Sequence, residues 1–158
     1  LGHTDAARAE AQAIADLIRD GDFTALNNGG VPAQDILEIY RRVVLGRAHM
    51  MDGNASAAIA ELQQAVEMKA AIPYTEPPYV YYPIRRTLGA AYLMNGQAAV
   101  AELEFLQVLI ESPNDAYAYW GLSEARRARG DRRGANAARQ MFNAAFLGRR
   151  NQMYLQAL

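Results

Sequence analysis

LGAAYLMNGQAAVA, residues 88–101, is the stretch on which the fold turns. Leu88 and the small Gly89 precede a glycine, Gly96, by eight and seven residues, and Ala101 follows that glycine by five. Working outward, the same phase recurs twice. Leu45, Gly46, Gly53 and Ala58 repeat it on the N-terminal side, and Leu122, Ser123, Gly130 and Ala135 on the C-terminal side. Gly96 and Gly130 are 34 residues apart; Gly53 and Gly96 are 43 apart, nine more than one period. Gly2 with Ala7 falls in the same phase near the start of the chain.

Helix geometry explains the residue types. A leucine followed by a small residue lets a second helix approach the first closely. The glycine then ends the first helix in a conformation with positive φ, which other residues adopt at a cost. The alanine, one turn into the returning helix, occupies the place where two backbones nearly touch. On the same face, nine and twelve residues after each glycine, stand Leu62 and Ala65, Phe105 and Val108, and Arg139 and Phe142. Pro113 closes the middle unit where a new helix must begin.

This pattern resembles the tetratricopeptide repeat, a 34-residue helix–turn–helix with small residues at its crossings. Residues 82–115 match it best, through Leu88, Gly89, Tyr92, Gly96, Ala101, Phe105 and Pro113. The copy at 39–72 keeps Leu45, Gly46, Gly53, Ala58, Leu62 and Ala65 but has His49 for an aromatic and Ala70 for the proline. The copy at 116–149 keeps Tyr119, Leu122, Gly130 and Ala135 but carries Arg126 and Arg139 at apolar positions. Arg42 and Arg85 stand where the family has a bulky apolar residue. The resemblance implies an all-α fold, an α-solenoid of antiparallel helix pairs with about three repeats.

The boundaries follow from that phase. Residues 1–20 hold an alanine-rich helix with Ala7, Ala11, Ile14 and Ile18 on one stripe, the second helix of a truncated repeat. Residues 21–32 read as a linker of turn chemistry. Repeats at 33–72, 82–115 and 116–149 come next, with a helix opening at Pro32 and one closing near Gly148, and residues 150–158 form a short C-terminal cap. The start at Leu1, with no basic or apolar leader, reads as the interior of a longer chain.

The nine extra residues are PYTEPPYVY, Pro73–Tyr81. Pro77–Pro78 favours an extended path there, and Pro83 suits the first turn of the next helix. The run from Glu76 to Leu93 is similar to a segment of bacterial tetratricopeptide proteins, where two prolines and aromatics lead into a repeat near the C-terminal end of a longer array. The insertion either covers a helix seam or forms one wall of a binding groove through Tyr79 and Tyr81.

Composition narrows the function. Without cysteine there is no disulfide, thiolate nucleophile or cysteine-bound metal, and no cofactor is implied. The two histidines, His3 and His49, have no partner ligands at metal-binding spacing. Glu102 and Glu104 are two apart and point to different helix faces, which precludes a paired acid and base. Ser56, Ser112 and Ser123 lack a nucleophile context, and Asn54-Ala55-Ser56 is a glycosylation triplet placed at a helix turn. The chain reads as no enzyme. No apolar run approaches a membrane span of ~20 residues, and a soluble, cytoplasmic protein is the favoured reading.

Residues 115–158 carry eight of the 16 basic residues but three of the 17 acidic ones, so the rest of the chain is net acidic. A pI near 6.2 speaks against nucleic acid. The family resemblance implies a protein or peptide partner, bound in a concave groove lined by first helices. Carried onto this chain, the groove positions are Tyr40, Val43, Arg47 and Met51; Arg86, Ala90 and Met94; and Tyr117, Trp120, Glu124 and Arg127. Trp120, the single tryptophan, is the leading anchor, with core packing as its alternative. The carboxylate clamp of the chaperone-tail binders is not expected, because its five positions hold Val43, Arg47, Thr87, Tyr117 and Gly121, with one basic residue among them. Two alternatives stay open: a head-to-tail homo-oligomer joining basic and acidic ends, and a non-catalytic regulatory segment of a larger enzyme.

Overall fold

In the computed structural model the described residues are 2–148 and 153–158. Among them the secondary structure is helical and contains no strand: α1 (Gly2–Asp20), α2 (Thr24–Asn28), α3 (Ala33–Met51), α4 (Ala55–Ala71), α5 (Ile84–Met94), α6 (Ala98–Glu111), α7 (Ala116–Ala128), α8 (Arg132–Ala145) and a 3-10 turn (Leu155–Ala157). Two compact units divide between Ile84 and Arg85. In the first, α1 packs on α3 and α3 on α4; in the second, α6 packs on α7 and α7 on α8. No helix among the described residues is long and apolar enough to cross a membrane.

One turn geometry links α3 to α4, α5 to α6 and α7 to α8. Gly53, Gly96 and Gly130 have φ of 77°, 74° and 83°. Each glycine N–H bonds the carbonyl three residues back, on Met50, Leu93 and Arg127. The next residue's N–H bonds the carbonyl five back, on His49, Tyr92 and Arg126. These are the reverse bonds that satisfy the last carbonyls of a helix. A Cβ at any of the three glycines would meet nothing within 4 Å, so the backbone conformation alone selects glycine there. Asn54 and Asp131, directly after two of these glycines, cap the returning helices by accepting from Ala57 N and Gly134 N at 3.2 and 2.8 Å. The glycosylation triplet is thereby a helix cap.

Other glycines are selected by space. A Cβ at Gly46 would lie 2.7 Å from Leu62 Cγ, and one at Gly89 would lie 2.9 Å from the Phe105 ring. At Gly121 it would lie closer still to two atoms of the same ring. Leu62 and Phe105 are fully buried, as are Ala58 and Ala101, and Ala135 is 3% exposed. The leucine–small–glycine–alanine spacing coincides with close crossings at Gly46 and Gly89 in the first two hairpins and with buried Ser123 and Ala135 in the third.

The structure departs from expectation in three places. The 21–32 linker contains α2, one short helix without buried residues. Asp22 accepts from Thr24 N at 2.9 Å to start it, and Gly30, at φ 80°, stops it with the same reverse bonds, to Asn27 and Leu26. The Pro73–Tyr81 insertion bends rather than runs extended, with a cis Glu76–Pro77 bond and Thr75 Oγ1 donating to the Pro77 carbonyl. Helix α8 ends at Ala145, three residues before Gly148, where Phe146 turns extended. Of the 150–158 cap, residues 150–152 lie outside the described residues; Leu155–Ala157 form a 3-10 turn and Leu158 is fully buried.

Substitutions at the two kinds of glycine separate these causes. Gly121→Ala should cost about 2 kcal/mol through overpacking against a rigid ring. Gly130→Ala should cost about 1 kcal/mol through its left-handed backbone. Adding Phe105→Leu should recover much of the first loss and none of the second, as read by urea denaturation of the single and double variants.

Candidate interaction surface

The second unit gathers the densest set of polar and aromatic groups around Arg86, on the first turn of α5. Its Nη1 pairs with Asp115 Oδ2 at 3.0 Å, its guanidinium lies 4.8 Å from the Tyr117 ring centroid, and its Nε donates to the Leu158 carbonyl at 3.3 Å. Asp115 does double duty, because its other oxygen accepts from Ala118 N at 2.8 Å and caps α7. The cap fixes the carboxylate, and the carboxylate fixes Arg86. Next to Arg86, the fully buried Thr87 donates from Oγ1 to the same Leu158 carbonyl at 2.8 Å. Tyr117 stands edge-on to Phe146 at 5.7 Å, and Phe146 stacks on Phe142 at 4.9 Å. The C-terminal end of α8 thus supplies the aromatic floor of this cluster.

Of the residues expected in a groove, Arg86 and Tyr117 are brought into contact. Glu124 and Arg127 also meet, as a neighbouring pair at 3.0 Å on α7, with Arg127 exposed. Trp120 shares their helix but is 8% exposed, the burial of a core side chain, and little of its ring is left for a partner. In the first unit, Arg47 donates to the Tyr82 hydroxyl at 2.6 Å, and Tyr40 is half-buried. Tyr81 is exposed, whereas Tyr79 is half-buried and lines an apolar hollow of about 190 Å³ in the insertion with Ile72, Pro73, Tyr74 and Val80. Three members of the Arg86 cluster were not singled out by sequence. Asp115 counted only as a charge, Phe146 lay beyond the repeat positions, and Thr87 figured only as a residue lacking positive charge.

Several arginines are paired within their own unit. Arg42 meets Glu61 at 2.9 Å in the first unit, and Arg85 meets Glu104 at 2.9 Å in the second. Both pairs are 19 residues apart and hold the same place relative to their turn glycine. Glu102 takes Arg126 at 2.8 Å and also Arg129. Burial pushes the Glu102 carboxyl up, but hydrogen bonds from Arg126 and Arg129 outweigh it and leave the group below the usual glutamate range. Glu38 is lowered as well, chiefly by its bond from Arg41. Among the described residues no group of three or more His, Asp or Glu could hold a metal ion.

Comparison with protein-family models, curated proteins and solved structures gives no significant match to this chain. The functional reading therefore rests on the chemistry of the residues themselves.

The lowered carboxyls set a pH dependence. With folded values below the unfolded one, their stabilisation is complete above about pH 4.3 and is lost as pH falls through the folded values. The melting temperature should hold from pH 7 to 5 and drop below that. Glu102→Gln should cost about 1 kcal/mol at neutral pH, since its arginine partners are partly exposed, and should make the acid decline shallower. Thermal melts at steps from pH 7 to 3 check both.

Proposed function

We propose that this chain is a protein–protein interaction module of the tetratricopeptide type, an α-solenoid segment that binds a short peptide or helix of a partner and has no catalysis of its own. The observation that carries the reading is the Arg86–Thr87 pair. Two adjacent side chains on α5 donate to one main-chain oxygen, on Leu158, whose side chain is fully buried. Recognition of backbone together with one buried apolar side chain is the chemistry by which a protein reads a peptide. Arg86 and Tyr117, in contact from two helices, add residue types that dominate interface energetics. The hairpins with one turn geometry and small residues at their crossings support the repeat scaffold.

Head-to-tail self-assembly, the second reading, draws on the basic C-terminal third. Part of that charge is paired internally: Arg126 and Arg129 on Glu102, and Arg127 on Glu124. No specific contact favours self-assembly over the peptide-binding reading.

The test is selection of short peptides displayed on phage against the full chain. Enriched peptides should lose about tenfold or more in affinity, some 1.4 kcal/mol, on Arg86→Ala or Tyr117→Ala, measured by calorimetry. Trp120→Ala should act through stability instead, lowering the melting temperature. Failure to enrich any peptide, or binders indifferent to Arg86 and Tyr117, would overturn the assignment.

A further inference from the structure

We infer that the chain carries its own ligand for this surface: the turn Leu155-Gln156-Ala157-Leu158 occupies the Arg86–Thr87 site in cis, and the site takes partner peptides of the same chemistry, a helical turn with leucines three residues apart. The inference rests on the peptide-binding reading above and names its ligand class and its regulation.

Exposure along the segment separates anchor from connector. Tyr154 is 57% exposed and Leu155 is half-buried, yet Leu158 is fully buried. A segment laid down as mere surface cover would not concentrate its burial at one side chain. The segment is shaped as well as seated, because Leu158 N bonds the Leu155 carbonyl and Ala157 N bonds the Tyr154 carbonyl, closing one 3-10 turn. That turn places residues i and i+3 on one side. Leu155 and Leu158 therefore present one apolar face, and the Leu158 carbonyl beyond it is received by Thr87 and Arg86.

The charge state of the site says which oxygen it reads. Arg86 is neutralised by Asp115 and leaves Nε for the Leu158 oxygen, while Thr87 contributes a neutral hydroxyl. A guanidinium already paired with a carboxylate offers little to a second negative charge. On this balance a neutral main-chain carbonyl suits the site, and a leucine followed by further chain suits it as well as a terminal one.

Tethering makes the segment a regulator. A ligand on the same chain works at an effective concentration that reaches millimolar for short tethers. A partner peptide must displace it, and its apparent affinity falls by the fraction of molecules with the site open. The partner then sees a weak module until something removes the segment.

A fluorescent peptide of residues 151–158, amidated at its C-terminus, is titrated onto the unaltered chain and onto Leu158→Asp, which unseats the segment. Binding should be about tenfold tighter to Leu158→Asp, and Thr87→Val on that background should remove most of the gain. The free-acid peptide should bind within about threefold of the amide. Equal affinity for both chains, no binding to either, or a loss above tenfold on amidation would overturn the inference. If Leu158→Asp does not fold, the unaltered chain decides: peptide in excess should speed amide exchange over residues 153–158, and unchanged exchange overturns it. Phage-selected peptides sensitive to Arg86→Ala but indifferent to Leu158→Asp would sink this inference and leave the interaction reading standing.

Discussion

Phe105 lies between two glycines. Its ring is fully buried on α6, close enough to Gly89 of α5 and Gly121 of α7 that neither position has room for a methyl group. The ring is a spacer whose thickness sets how near α5 and α7 come. Arg86 stands three residues before Gly89 and Tyr117 four before Gly121, one turn back on the same helix faces. The gap measured by Phe105 is therefore the gap across which Arg86 reaches Tyr117 and Asp115. A larger side chain at either glycine would push the helices apart and open the pair. Core packing and surface chemistry in this unit are one constraint seen at two depths, and close-packed interiors transmit such shifts instead of absorbing them.

Gly53, Gly96 and Gly130 were legible in the sequence because a positive φ leaves almost one choice of residue, and the alanines five residues on because a close crossing leaves few. Where the physics admits many residue types, the sequence falls silent. Helix α2 hides in DGDFTALNNGG because its turn buries nothing and so leaves no apolar period. Thr87 and Asp115 gave no signal because a donating hydroxyl and a cap aspartate are common in any helical protein. Thr87 takes its meaning from Leu158, 71 residues away in the chain, and Asp115 from Arg86, 29 residues away. Tyr117 and Trp120 were equivalent as aromatic candidates. Exposure separates them, 37% against 8%, and no local pattern on α7 encodes that difference.

Arg42 and Arg85 looked like defects in the repeat, charges where a bulky apolar residue belongs. The structure gives them a shared solution. Each lays its stem along a half-buried helix face and ends on a glutamate of the returning helix, Glu61 or Glu104. A pair shielded on both sides keeps more of its Coulomb energy than an exposed one, and it fixes which glutamate faces which arginine. In the last hairpin Tyr119 and Ala138 hold the corresponding places, without a charge at either.

The distribution of charge bears on what the surface is for. A basic segment that met a partner by bulk attraction would keep its guanidinium groups free, and its binding would be steered over distance. Here Arg126 and Arg129 close on Glu102, Arg127 on Glu124, and Arg86 on Asp115. Arginine held this way acts by shape, its planar fork fixed by one carboxylate and its remaining N–H directed at one oxygen. On the proposed reading, such a site would discriminate by geometry at short range and depend little on the net charge of its ligand. A paired arginine and a hydroxyl directed at one main-chain oxygen suit the neutral turn of backbone proposed above as the ligand.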